Sequence, residues 1–97
     1  MSRKQRPWVH ELKTEREPFE AVRRGRKHVE LRRDDRDYQA GDLLVLREWD
    51  GELGKYTGRH CLARVTHLVR AGDGDFGTLA AGVVAMSLRV FREPRSI

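Results

Sequence analysis

The residues best suited to chemistry lie in the stretch GRKHVELRR, residues 25–33. In an extended conformation Glu30 and Arg32 project from one face about 7 Å apart, within reach of each other's side chains. A carboxylate can hold a guanidinium by two hydrogen bonds and leave its outward donors for a phosphate or a base edge. We therefore expect Glu30 to orient Arg32 toward an anionic ligand. The alternative is a surface ion pair that contributes about 0–1 kcal/mol.

Strand alternation makes this carboxylate unusual. Val29 and Leu31 share one face of the strand, while His28, Glu30 and Arg32 share the other. Glu is depleted in strands, and here it stands between basic neighbours. We predict that it also tempers non-specific attraction of polyanions to the strand.

The net charge of +5 is concentrated in the first third of the chain. Residues 1–36 hold twelve Lys or Arg against seven Asp or Glu, whereas residues 37–97 hold eight of each. This asymmetry indicates a polyanionic partner, and nucleic acid is favoured over a membrane because no amphipathic basic helix of useful length is present. Sixteen Arg against four Lys leave open that genome composition explains the excess.

Several other classes of site lack the residues they need. Cys61 is the single cysteine, which excludes an internal disulfide or a Cys-x-x-Cys metal knuckle and favours a reducing, cytoplasmic setting. The four histidines lack His-x₃-His spacing, and residues 72–77, GDGDFG, lack the lysine of a phosphate-binding loop. We expect no metal and no cofactor. No apolar run approaches the ~20 residues that span a bilayer, so no membrane partner is expected.

The pattern of elements is β-α-β-β-β-β in a single domain. Pro18 near a first turn, Glu17 at the positive end and Gly25 as a terminating residue predict a helix over 17–25. Strands are predicted over 8–14, 27–33, 43–49, 59–69 and 83–91. We expect residues 1–6 to form a basic arm, 7–92 the domain and 93–97 a tail.

Three aromatic residues receive separate predictions. Strand 43–49 is nearly continuous in apolar residues and is expected to be buried on both faces, with Trp49 after it in the core. Tyr56, in a predicted hairpin loop, is the exposed aromatic able to stack on an unpaired base. Phe76 is expected to plug one end of the barrel.

With one short helix, a curled sheet or partial barrel is needed to bury the apolar side chains.

Ordered motifs across residues 10–50 resemble a known family. Residues 25–32 match G-x-K-x-x-E-x-R, the pattern of ASCH domains in the PUA-like superfamily. H-x-L-K at 10–13, D-R-x-x-x-x-G-D at 35–42 and L-R-E-W at 46–49 are similar to a small bacterial and phage ASCH-like family of the DUF3850 type. The resemblance implies a mainly β (α+β) fold, a PUA-like pseudobarrel of five to six strands with one short helix between strands 1 and 2.

The resemblance also implies a small RNA-binding or nucleotide-binding module. Its cleft between helix and barrel would be lined by Lys27, Glu30 and Arg32. The neighbouring first strand would add His10 and Lys13. We expect the approach of the ligand to be steered by Arg23, Arg24 and Arg26.

Two other functional classes stay open. Some ASCH-like proteins are amidohydrolases that remove an acyl group from cytidine, and they place a Thr nucleophile where this chain has Glu30. Lys27 and Glu30 could instead act as a general acid and base around a water, so they are the candidate catalytic residues. A ribonuclease also stays open, although no two-histidine or His-Lys pair can be placed for it. A regulatory protein that binds another protein is the third class.

Overall fold

A computed structural model describes residues 5–91 as five strands and one helix. The elements, in chain order, are β1 (Val9–Glu15), α1 (Arg16–Arg23), β2 (Val29–Arg33), β3 (Leu43–Asp50), β4 (Lys55–Arg70) and β5 (Val83–Val90). The predicted tail, and all but residues 5 and 6 of the predicted arm, lie outside the described residues.

The strands form one curled, half-barrel sheet in the order β1-β3-β4-β5-β2. β1 pairs with β3 in parallel, and the other neighbours are antiparallel. The long strand β4 pairs with β3 through its first half and with β5 through its second, and irregularities in register interrupt both pairings. Such bulges increase local twist and bend a strand, which helps the sheet to curl. The mainly β class with one helix between the first two strands is confirmed.

The core fills the concave side of the sheet and is covered by α1. Phe19 and Val22 of the helix are completely buried there. The rest of the buried apolar cluster is Leu12, Tyr38, Leu44, Leu46, Ala63, Val65, Val84, Met86 and Leu88. A two-turn helix is unstable alone, so this packing is what keeps α1 folded.

The helix ends where its glycine dictates. Gly25 has a φ of +75°, its N–H donates to the Val22 carbonyl, and the Arg26 N–H donates to the Ala21 carbonyl. This pair of bonds is a Schellman motif, which requires a left-handed residue directly after the helix. It turns the chain sharply toward β2.

Two strand predictions need correction. β3 is not buried on both faces: Leu44 and Leu46 are buried, while Leu43 and Val45 on the outer side are half-buried and Arg47 is exposed. No layer covers the outside of the sheet in the described region, so alternation persists. β4 begins at Lys55 rather than 59, which reduces the preceding hairpin connection to four residues, 51–54.

The prediction for Phe76 is wrong, because this side chain does not plug the barrel. It is 99% exposed and has a φ of +56°. The neighbouring Asp75 accepts hydrogen bonds from the Leu79 and Gly72 amides, and these lower the pKa of its carboxyl. The loop is held by polar contacts of its own and projects its aromatic ring into solvent.

Asp42 ties the start of β1 to the loop before β3. Its carboxylate is fully buried and accepts hydrogen bonds from the Trp8 and Gln39 amides, His10 Nε2 and Arg6 Nη1, at 2.8–3.1 Å. Burial by itself raises the pKa of Asp42, but the hydrogen bonds outweigh it and leave the pKa below its ordinary value. The buried ion is therefore kept charged by its four donors.

We expect Asp42→Asn to lower the free energy of unfolding at pH 7 by about 3 kcal/mol, because an amide cannot satisfy these donors as a carboxylate does. The contribution of a carboxyl with a depressed pKa is complete above its unfolded-state pKa of about 3.9 and is lost as the pH falls toward its folded value. Urea unfolding should therefore show the two proteins converging below about pH 4.

The matched control is Asp35→Asn, at an exposed carboxylate outside this cluster. It should change stability by less than about 0.5 kcal/mol. A loss from D42N no larger than that of D35N would contradict the role of Asp42.

Candidate nucleic-acid interface

Glu30 and Arg32 lie on the inner face of β2. Glu30 is only 4% exposed, whereas the apolar Val29 and Leu31 on the outer face are 41% and 57% exposed. Arg32 Nε donates to Glu30 Oε2 at 2.6 Å. The pair expected from the strand pattern is thus formed, but through one hydrogen bond inside the curl of the sheet.

The remaining donors of Arg32 are directed at β1. Its Nη2 donates to the Lys13 carbonyl at 2.7 Å and to Thr14 Oγ1 at 3.4 Å. Arg36, just after β2, donates from Nη1 to the Glu11 carbonyl at 2.8 Å. These carbonyls are two residues apart and point to the same side of the edge strand. We call this set the edge clasp: Glu30, Arg32, Arg36 and the carbonyls of Glu11 and Lys13.

The other basic residues of the motif are less engaged. Lys27 is half-buried and its amide donates to the Ala21 carbonyl, while Arg26 is exposed. Within residues 5–91, no side-chain hydrogen bond or ion pair joins Lys27 to Glu30. The carboxylate of the expected acid and base pair is instead held by Arg32.

An open groove of about 860 Å³ lies between the C-terminal end of α1 and the adjoining parts of β4 and β5. Its basic and histidine lining consists of Arg23, Arg24, His28, His60 and Arg89. Its other walls are Gly25, Cys61, Leu62, Thr66, Leu88, Val90 and Phe91. Of the residues the structure describes, no Asp or Glu lines this groove. It combines cationic side chains with an apolar surface.

Glu20 partly neutralises one rim of the groove. Arg24 Nε donates to Glu20 Oε2 at 2.8 Å, and Arg23 lies 3.9 Å from the same oxygen. Hydrogen bonds from Arg24 and from Arg59 lower the pKa of Glu20 to about 2, so it stays ionised at neutral pH. Arg89 has no carboxylate partner among residues 5–91. It is therefore the groove cation best placed to meet an anionic ligand.

The structure separates the predicted site residues into distinct places. Arg23 and Arg24 line the groove, and Arg26 and Lys27 follow them in the chain. Glu30 and Arg32 form the edge clasp. His10 is buried, bonded to Asp42 at 2.9 Å, and its ring lies 4.7 Å from that of Tyr38.

Lys13 and Tyr56 lie on the outer face of the sheet. Lys13 Nζ is 4.5 Å from the ring centroid of Trp49, and Tyr56 is exposed as predicted, although it belongs to β4. Trp49 was expected in the core, but it is half-buried on the outer face. Its position follows the alternation of β3, which the apolar run of that strand obscures.

Sequence reasoning missed three groove residues, His28, His60 and Arg89. His28 precedes β2, His60 belongs to β4 and Arg89 to β5, so the pairing of β5 with both β2 and β4 brings them together. Knowledge of the strand register could have found His60 and Arg89.

Among residues 5–91, no three His, Cys, Asp or Glu residues are grouped as metal ligands. The helix in that part of the chain lacks the length and apolar character that crossing a membrane requires.

We expect Arg32→Lys to lower the free energy of unfolding by about 2 kcal/mol. An ammonium cannot reproduce the fork that joins Glu30 to the Lys13 carbonyl, and it leaves a buried carboxylate poorly paired. Urea denaturation at pH 7 measures this loss.

Arg33→Lys, at the next residue, is the matched control because Arg33 is exposed. This control should stay within about 0.5 kcal/mol of the parent protein. Equal effects of the two substitutions would contradict the edge clasp.

Comparison with known proteins shows a family and a phage relative. A protein of Escherichia phage P2, named "Uncharacterized 12.9 kDa protein in GpA 3'region", is 40% identical over 65 residues. The match covers 67% of this chain and 58% of the phage protein, so the chain spans less than two thirds of that relative. The family model for domain of unknown function DUF3850 matches residues 9–88, which include all six elements apart from the end of β5. The chain therefore belongs to the DUF3850 family.

Proposed function

We propose that this protein is a small RNA-binding or nucleotide-binding module that holds phosphate groups in the groove beside α1. The observation that carries the proposal is the composition of the groove: among residues 5–91, three arginines and two histidines line it together with apolar side chains. Arginine suits phosphate because its planar fork of donors matches phosphate oxygens. A groove of about 860 Å³ is also within the range of pockets that bind small ligands.

The apolar walls support a nucleotide over a simple anion. Leu62, Val90 and Phe91 stand beside the cations, so a ribose or base could pack against them while its phosphate meets an arginine. A bare phosphate or sulfate would make no use of these walls. The unequal charge of the chain, with its excess in residues 1–36, favours the same class of ligand.

The resemblance to ASCH domains supports the proposal, but we assign the ligand to a different place from the cleft that it implies. The motif borders the groove through Gly25 and His28, which lie between α1 and β2, whereas Glu30 and Arg32 of β2 belong to the edge clasp. We therefore assign the ligand to the groove and keep Lys27 and Arg26 as cations near its entrance. In this proposal the module remains ASCH-like, but the charged pair of its motif positions the strand.

Hydrolysis by Lys27 and Glu30 has less support than binding. A general base must reach the proton it removes, and Glu30 is 4% exposed with Oε2 bonded to Arg32. We therefore propose a binding module without catalysis. A regulatory complex with another protein is the outcome indicated if the purified chain has no affinity for RNA.

Arg89→Gln should weaken binding of a fluorescently labelled ten-nucleotide RNA by about tenfold, the equivalent of one hydrogen bond to a charged group. The magnitude of the slope of log K against log salt should decrease by about 1, because one phosphate contact is lost. Fluorescence anisotropy at several salt concentrations measures both quantities.

Arg33→Gln removes the same charge from an exposed residue outside the groove and should leave both quantities nearly unchanged. Equal losses from the two substitutions would indicate diffuse attraction to a basic protein. No binding by the parent protein at low salt would refute the proposed function.

A further inference from the structure

We propose that the RNA continues from the groove as an unpaired strand across the outer face of the sheet, where a base stacks on Tyr56. This inference rests on the proposed function and names the ligand as single-stranded RNA. The outer face is the side of β1, β3 and β4 that points away from the core, and it is exposed to solvent in the described structure.

Strand register brings cations and aromatic rings together on this face. Lys13 of β1 stands beside Arg47 of β3, which stands opposite His60 of β4. In the next row, Trp49 of β3 stands opposite Tyr56 of β4. Directly opposite residues of neighbouring strands share one face, so the two rows form a continuous surface.

Tyr56 is arranged as a platform within these rows. The guanidinium carbon of Arg47 lies 4.1 Å from its ring centroid, and the ring of Trp49 meets it edge to face at 5.0 Å and 79°. Tyr56 nevertheless remains 39% exposed. Arg47 covers one face of the ring and, together with Trp49, holds the ring in place. In this proposal the base stacks on the part of the ring that stays exposed.

The groove and this platform are continuous through His60. His60 lines the groove and also belongs to the row of Arg47. Three residues of β4 lie between His60 and Tyr56, and their partners Arg47 and Trp49 are two residues apart on β3, so His60 and Tyr56 stand in neighbouring rows. On β1, Glu11 and Glu15 lie on the same outer face on either side of Lys13. Their charges favour a path along β3 and β4.

Stacking on a side chain selects unpaired bases. In a duplex the base faces are covered by their neighbours, and the phosphates alone would be accessible to the groove. In a single strand each base can leave the stack and place its face on an aromatic ring. Phosphate binding alone would not distinguish the two forms, so strandedness tests the outer face separately.

The test compares a labelled ten-nucleotide uridine RNA with a ten-base-pair RNA duplex in fluorescence anisotropy. Tyr56→Ala should weaken single-strand binding by about tenfold, consistent with one lost stacking contact. It should leave duplex binding within about twofold of the parent protein. Tyr56→Phe, which keeps the ring, should bind the single strand like the parent.

Tyr56→Leu controls for loss of the fold, because it keeps an apolar side chain beside Trp49 while it removes the aromatic ring and its hydroxyl. It should weaken single-strand binding as Y56A does. Phe76→Ala is the matched control, since it deletes a more exposed ring on the loop between β4 and β5. It should bind both RNAs normally.

Single-strand affinity unchanged in both Y56A and Y56L would overturn this inference while leaving groove binding intact. Equal loss of single-strand and duplex binding in Y56L would overturn it as well. If the parent protein binds neither RNA, the proposed function and this inference fall together. If R89Q loses single-strand affinity and Y56L does not, the groove binds RNA without the outer face, and this inference is overturned.

Discussion

Closure of the two open edges of the sheet is the constraint on which the rest of this structure depends. β1 and β2 lie at opposite ends of the strand order, and their backbones do not pair with each other in the described chain. Arg32 and Arg36 connect them by donating to carbonyls of β1. Unpaired strand edges are prone to pair with other chains, so covering them with charged side chains also protects the protein from aggregation. Glu30 stabilises this arrangement, because its carboxylate holds the Arg32 side chain on the inner face and compensates its charge.

Much of the motif that resembles ASCH domains therefore contributes to architecture. Contacts between elements distant in sequence are held by four residues of the motifs: His10, Arg32, Arg36 and Asp42. Glu30, also of the motif, holds Arg32 within β2. In our proposal, binding belongs to residues that those contacts position. Phe19 and Val22 keep α1 against the sheet, and Arg23 and Arg24 at the end of the helix line the groove beside β4 and β5.

The sequence predicted local structure better than it predicted orientation. Pro18, Glu17 and Gly25 located the helix, and the strand order along the chain was correct. The period of two placed Glu30 and Arg32 on one face, but it could not tell that this face points inward. The inward orientation depends on hydrogen-bond partners in β1, about 18 residues earlier in the chain, which compensate the buried charges. His60 and Arg89 could not be joined to the helix end without the register of β4, which two irregularities shift. Phe76 failed as a core prediction because its loop is stabilised by its own polar contacts.

We propose that the motif pair closes the sheet while the groove and the outer face bind RNA. A two-dimensional amide NMR titration with a short single-stranded RNA at low salt and at about 0.15 M salt tests it most directly. The account predicts saturable shifts at Gly25, His28, Leu62 and Arg89, extending to Arg47 and Tyr56 and persisting at the higher salt. Shifts centred on Glu30, Arg32 and Thr14, with none at the groove residues, would contradict it. Shifts confined to residues 1–6 and lost with added salt would contradict it as well.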